Sequence, residues 1–258
     1  MDFTGKNILI TGASSGIGKA LIMELSRYKC TIIPLARRLE QLKTIKFEAS
    51  GNPAKIFPYL CDVSQKESVK TVFAEILRVF PQIDIAILNA GVAFRIPIEE
   101  FNIEKAERTI NTNVMGIVYC AHELLPVFMK QKSGALVGVS SLADERGFPK
   151  SGIYNASKAA ATKLLEGLRI ELRPYNVKVI TVKPGFVKTP MTDKNEFKMP
   201  LLWSPEKAAR YICKNIQKEK RIIAFPFLIH AAILLLRILP PRIFDMFAGT
   251  HYKNIMRK

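Results

Sequence analysis

Six short apolar runs rich in β-branched residues set the architecture open to this chain: Asn7 to Ile10, Thr31 to Leu35, Ile56 to Leu60, Ile85 to Leu88, Ala135 to Val139 and Val177 to Val182. Between them lie segments with the apolar spacing of helices, clearest at Gly16 to Arg27, Lys66 to Val79, Glu104 to Lys130 and Tyr154 to Arg173. Pro174 ends the last of these. Runs that are apolar throughout suit strands covered on both faces, and regular alternation with helices means parallel neighbours joined by right-handed crossovers. The pattern predicts an α/β fold, a doubly wound parallel sheet of about seven strands with helices on both faces. A seventh strand is expected at Arg221 to Phe225. Residues 1–225 then form one catalytic domain, and 226–258 a helical C-terminal extension, in a chain of 258 residues. Phe186 to Ser204, with Pro190, Pro200 and Trp203, reads as a long irregular loop of the kind that covers a pocket.

The first strand runs into Thr11-Gly12-Ala13-Ser14-Ser15-Gly16-Ile17-Gly18 and then into a helix, the entry of a Rossmann-like unit. Glycines at 12, 16 and 18 let the backbone approach a pyrophosphate, with the amides of the helix N-terminus directed at it. At the end of the second strand an acidic residue would bind the ribose diol of NAD, but the sequence reads Leu35-Ala36-Arg37-Arg38. Two guanidinium groups suit a 2′-phosphate and the adenine face, with the Ser14 hydroxyl as a further donor, so the expected cofactor is NADP(H). The plainer alternative is that Arg37 and Arg38 only open a solvated helix.

Tyr154 and Lys158 stand four positions apart in Tyr-Asn-Ala-Ser-Lys, so a helix carries both on one face, where an ammonium group favours the phenolate. Ser141 precedes Tyr154 by thirteen residues, and Asn89-Ala90-Gly91 and Asn113 come before both. With the glycine turn, this ordered set resembles the short-chain dehydrogenase/reductase family, firmly from Met1 to about Thr189 and not beyond. The resemblance implies that Tyr154 is the general acid in reduction and the base in oxidation. It implies that Lys158 tunes it and holds ribose hydroxyls, that Ser141 bonds the substrate oxygen, and that Asn113 holds a water linking Lys158 to solvent. Asn111 competes for that last role, and the offset to Gly116 favours Asn113. The implied cofactor contacts are Gly12, Ser14, Ser15, Gly16, Ile17 and Gly18 in the turn, with Arg37 and Arg38 beyond it. Asp62 and Val63 border the adenine, Asn89, Ala90 and Gly91 run along the ribose, and Pro184, Gly185, Val187 and Thr189 lie at the carboxamide, beside Tyr154 and Lys158 themselves.

The activity these residues imply is that of an oxidoreductase interconverting a ketone or aldehyde and an alcohol on an apolar, lipid- or steroid-like substrate. A cavity walled by Phe94, Phe148, the loop near Trp203 and the tail would receive it. A non-catalytic NADPH sensor would be expected to lack one of the four catalytic types, and all are present; an epimerase or dehydratase on the same scaffold is a further alternative. By the same resemblance the protein forms a homodimer or homotetramer through the helices at Glu104 to Lys130 and Tyr154 to Arg173.

Other chemistries find little support. His122, His230 and His251 are scattered, with no acidic or cysteine partner at ligand spacing, so no metal is expected, and no histidine accompanies Ser141 as a hydrolase would need. The formal net charge of +17 is not arranged as a basic stripe interleaved with aromatics, which argues against nucleic acid. Cys30, Cys61, Cys120 and Cys213 form no Cys-x-x-Cys pair and read as buried thiols, and the first strand begins by about Lys6 with no basic leader before it; a cytoplasmic enzyme is expected. Residues 198–258 hold twelve Lys/Arg against three Asp/Glu. Within them Phe227 to Leu239 is a run of thirteen residues carrying His230 and Arg237 on one stripe, short of the roughly 20 that span a bilayer. Lys218, Lys220, Arg221, Arg242 and Lys253 flank it. The tail therefore suits the surface of an anionic membrane on its cytosolic face, with the roof of the substrate pocket or a partner subunit as the alternatives.

Overall fold

The computed structural model describes residues 1–193, 195 and 197–256, with side chains at 247 and from 250 onward left aside. In chain order the elements are β1 Asn7–Thr11, α1 Gly16–Leu25, β2 Thr31–Ala36, α2 Leu39–Glu48, β3 Lys55–Ile56, β4 Tyr59–Leu60, α3 Lys66–Val79, β5 Ile85–Leu88, α4 Ile103–Ile110, α5 Gly116–Gln131, β6 Ala135–Val139, α6 Gly152–Glu171, β7 Lys178–Pro184, α7 Pro205–Gln217, β8 Ile222–Phe225, α8 Phe227–Ile238 and α9 Pro241–Met256. The strands form one parallel sheet ordered β3-β2-β1-β5-β6-β7-β8, with β4 continuing β3 alongside β2. This is the doubly wound α/β fold the sequence predicts, in seven strand positions.

Alternation along β1 shows how the two layers arise. Ile8 and Ile10 point into one core, where Leu21 and Leu25 of α1 meet Ile212 and Ile216 of α7. Leu9 points into the other, against Phe73 of α3, Leu124 and Phe128 of α5 and Leu165 of α6. The expected strand Ile56 to Leu60 is two short pieces, because Pro58 has no N–H to continue the ladder.

The expected helix Glu104 to Lys130 is also interrupted. A wide π-type turn, Asn111–Met115, separates α4 from α5. Its physical cause is Asn113, fully buried, whose side chain accepts from Val92 N at 2.8 Å and donates to Val92 O at 2.9 Å and Ser157 Oγ at 3.0 Å. Those bonds pull the helix out of regular register at the functional edge of the sheet.

Trp203 anchors the long loop: its ring stacks on Phe225 at 4.8 Å and meets Tyr211 edge-on at 5.4 Å, fastening the loop to α7 and β8. The tail continues as helix. No residue of α8 is buried: Phe227, Leu228, Leu235 and Ile238 are each more than 60% exposed, and Ile229, Ile233 and Leu236 are half-buried. Arg237, itself exposed, reaches Glu145 at 3.3 Å. Arg146 donates to the carbonyls of Leu236, Arg237 and Leu239, capping the end of α8, and Phe244 of α9 is buried edge-on against Phe148. Among the described residues no helix is long and apolar enough to cross a membrane.

Candidate active site

Strand register brings the predicted residues to one edge. Leu35, Thr11, Leu88, Gly138 and Thr181 lie in a single row across β2, β1, β5, β6 and β7. The residues beyond this row, Arg37, Gly12, Asn89, Ser141 and Pro184, therefore all leave the sheet at its carboxyl end. The chain reverses direction of travel between β1 and β5, so a crevice opens there.

That crevice is lined by Gly12, Ser14, Ser15, Gly16, Ile17, Arg37, Arg38, Asp62, Val63, Asn89, Ala90, Gly91, Ser141, Tyr154, Lys158, Pro184, Gly185, Val187 and Thr189, each an expected site residue. Two expected residues stand behind its wall. Gly18 packs the helix onto the turn, since a Cβ there would collide with Gly12 O. Asn113 is turned into the Val92 segment, and Thr112 is the member of that turn on the crevice surface. The sequence reading missed Val92, Ser140, Met191 and Thr192, which also line it. Thr192 carried a legible signal: a hydroxyl three residues past Thr189, where it accepts from Thr189 N at 2.9 Å and donates to Val187 O at 2.7 Å.

The glycine turn passes a strict test for a dinucleotide cradle. Gly12 (φ +65°) and Gly16 (φ +54°) are left-handed, and added Cβ atoms would sit 2.6 Å from Ala90 Cα and 2.9 Å from Thr189 Cγ2. Only glycine admits this backbone and this closeness to the facing loops. Arg38 Nη2 donates to Ser14 Oγ at 2.9 Å and Ser15 Oγ at 3.0 Å, and Arg37 Nη1 lies 4.0 Å from Asp62 Oδ2. One guanidinium thus stands over the turn and the other beside the expected adenine border.

At the other end, Ser141 Oγ accepts from Ala143 N at 3.1 Å and donates to Pro184 O at 3.4 Å, and its hydroxyl acts on the Tyr154 phenol. Lys158 Nζ donates to Val139 O at 3.0 Å and lies 5.8 Å from the Tyr154 ring centre. A Cβ on Gly91 would come within 3.3 Å of Lys158 Nζ and of Asn113 Oδ1, so these groups crowd one spot. Burial raises the Tyr154 phenol above its ordinary value, outweighing the Ser141 hydroxyl that lowers it, and the Asp144 carboxylate raises it further. Burial also depresses the Lys158 ammonium to about 8, with Asp144 opposing. A phenol that stays protonated beside a readily titrated amine is a proton donor at neutral pH.

Comparison with known proteins agrees with this arrangement. Residues 6–199 match the short chain dehydrogenase family. An uncharacterized oxidoreductase of Myxococcus xanthus is 32% identical over 240 residues, covering 93% of this chain and 95% of its own. The 3-oxoacyl-[acyl-carrier-protein] reductase FabG of Thermotoga maritima is 34% identical over 194 residues, 75% of this chain and 79% of that one. In fold, a short-chain dehydrogenase/reductase of Burkholderia phymatum, solved in complex with NAD, superposes with a TM-score of 0.84 at 23% identity, covering 91% of this chain and 94% of that one. With the crevice, the glycine cradle and the Ser-Tyr-Lys cluster in place, the chain belongs to the short-chain dehydrogenase/reductase family and is an oxidoreductase of that type.

Proposed function

We propose that this protein is an NADP(H)-dependent oxidoreductase that interconverts a ketone or aldehyde and its alcohol on an apolar, lipid-like substrate at a membrane surface. The observation that carries the reading is the meeting of Ser141, Tyr154 and Lys158 beside Gly91 and Pro184 at the carboxyl edge of the sheet. When bound, the reduced nicotinamide supplies the hydride. Tyr154 gives its phenolic proton to the carbonyl oxygen as charge develops there, and Ser141 Oγ turns its hydrogen from Pro184 O to the same oxygen. Lys158 stabilises the phenolate left behind, and Asn113 holds the Val92 segment and α6 in register through Val92 and Ser157. Arg38, with Ser14 and Ser15 beneath it, binds the 2′-phosphate of the cofactor, and Arg37 lies along the adenine with Asp62 and Val63. Gly12, Gly16 and Ile17 cradle the pyrophosphate, Asn89, Ala90 and Gly91 follow the ribose, and Gly185, Val187 and Thr189 hold the carboxamide end. Subunits pair through α5 and α6.

The exposed apolar surface of α8 supports the membrane part. Phe227, Leu228, Leu235 and Ile238 stand out from the protein, and Lys218, Lys220, Arg221 and Arg242 flank them in sequence. The same tail rests on Phe148 through the ring of Phe244.

One experiment tests both parts: NADPH oxidation with a homologous series of aliphatic aldehydes and ketones, with phosphatidylglycerol vesicles, with phosphatidylcholine vesicles and without vesicles, alongside sedimentation. We expect kcat/KM to rise with chain length, and the protein to pellet with the anionic vesicles and be released by salt. NADPH left untouched by every carbonyl would overturn the enzyme reading, and a protein that stays in the supernatant with both lipids would overturn the membrane reading.

A further inference from the structure

Asp144 ends the one-turn helix, Leu142–Asp144, that starts at Ser141. Its side chain is 1% exposed. Oδ2 accepts from Thr162 Oγ1 at 2.5 Å and from Lys183 Nζ at 2.9 Å, and Lys183, itself 8% exposed, also reaches Glu145 Oε1 at 2.6 Å. Each partner belongs to a different part of the catalytic frame. Thr162 lies one helical turn beyond Lys158 and two beyond Tyr154 on α6, and its hydroxyl is 2.7 Å from Ser140 Oγ, which donates to the Lys158 carbonyl at 2.9 Å. Lys183 immediately precedes Pro184, whose carbonyl accepts from Ser141. A single carboxylate thus joins the turn of Ser141, the helix of Tyr154 and Lys158, and the strand that ends in the proposed carboxamide segment.

An apolar side chain would pack such a junction at lower cost, since a buried carboxylate must be matched by a cation and hydrogen bonds. The match here is incomplete: Oδ1 has no partner among the described residues. The carboxylate is paired with Lys183, yet one of its oxygens is unbonded and its field acts in a medium that screens it weakly. We propose that Asp144, held by Lys183 and Thr162, is a positioning residue for catalysis, locking the Ser141 turn to α6 and β7 and placing a fixed negative charge behind Tyr154 and Lys158. The inference rests on the proposed roles of Tyr154 and Lys158.

The sign of its effect is set by the groups around it. Facing Asp144 are Lys183 from β7, Glu145 from the adjoining position, and Tyr154 and Lys158 from α6; behind Glu145 stand Arg237 and His230 from α8. Negative charge favours the neutral phenol and the ammonium. Both groups therefore hold their protons to higher pH with Asp144 than without it.

The test is the pH dependence of kcat/KM for alcohol oxidation with NADP⁺, using the alcohol of the best aliphatic carbonyl substrate, in Asp144→Asn, Lys183→Met and the double variant. Asparagine keeps the Thr162 bond and removes the charge. We expect both transitions of the profile, that of Lys158 near 8 and that of Tyr154 at higher pH, to move about 0.5–1 unit toward acid. Lys183→Met alone, which strands the carboxylate, should lower activity and melting temperature more than Asp144→Asn does, and the double variant should recover part of both losses. A profile that falls in height without moving, or single-variant losses in melting temperature that simply add in the double, would overturn the proposal. The melting temperatures decide the pairing even if no carbonyl is turned over, and an active Tyr154→Phe would instead remove the reading beneath it.

Discussion

Tyr154→Phe is expected to lower turnover by about 10²- to 10⁴-fold while leaving NADPH affinity essentially unchanged. The ring keeps its place on α6 and only the hydroxyl is lost, so any deficit reports proton transfer by that hydroxyl. Because burial raises this phenol, the neutral acid is the resting form at physiological pH, and carbonyl reduction begins from the correct protonation state. Alcohol oxidation needs the phenolate together with a charged Lys158, and since Lys158 titrates at about 8, below the raised phenol, the rate should pass through a maximum between the two transitions. Stopped measurements of NADPH consumption and fluorescence titration of NADPH binding read the two quantities separately. Turnover retained in the phenylalanine variant would reject the acid–base assignment, and loss of NADPH binding in step with turnover would turn Tyr154 into a mainly structural residue.

Replacing Arg37 and Arg38 together by alanine should weaken NADPH by about a hundredfold and NADH hardly at all. Hydrogen bonds to a charged group contribute about 1.5–3 kcal/mol each, so loss of a phosphate clamp reaches that size with one or two contacts. Arg38 is held by Ser14 and Ser15 at the mouth of the glycine turn, where the proposed 2′-phosphate would lie. Arg37 leans toward Asp62 and is expected to matter less. Equal weakening of the two coenzymes would show that the guanidinium groups serve the turn and not the phosphate.

Much of the fold and site was legible in the sequence because the signals were local. The runs from Asn7, Thr31, Ile85 and Ala135 became strands because each is apolar on both faces, and register then carried Gly12, Asn89, Ser141 and Pro184 to one edge. What escaped depended on distant partners. Nothing near Asn113 announces that it will bond Val92 and break the helix Glu104 to Lys130 into two. Trp203 reads only as part of a long loop until Phe225 and Tyr211 are seen to hold it. Asp144 and Lys183 are 39 positions apart, each unremarked alone, and only the junction of α6, β6 and β7 makes them a buried pair. The tail was legible as apolar and basic, but which stripe faces the protein was settled by Glu145 and Arg146, far from it in sequence.

The central claim is that a protonated Tyr154 stands where the nicotinamide delivers its hydride. A crystal structure with NADP⁺ bound tests it most directly. The account predicts the 2′-phosphate on Arg38 and the nicotinamide beside Tyr154, placed so that a carbonyl oxygen bonded to Tyr154 and Ser141 puts its carbon about 3–3.5 Å from the reacting ring position. A dinucleotide seated with its nicotinamide away from Tyr154, or its 2′-phosphate away from the arginines, would contradict it.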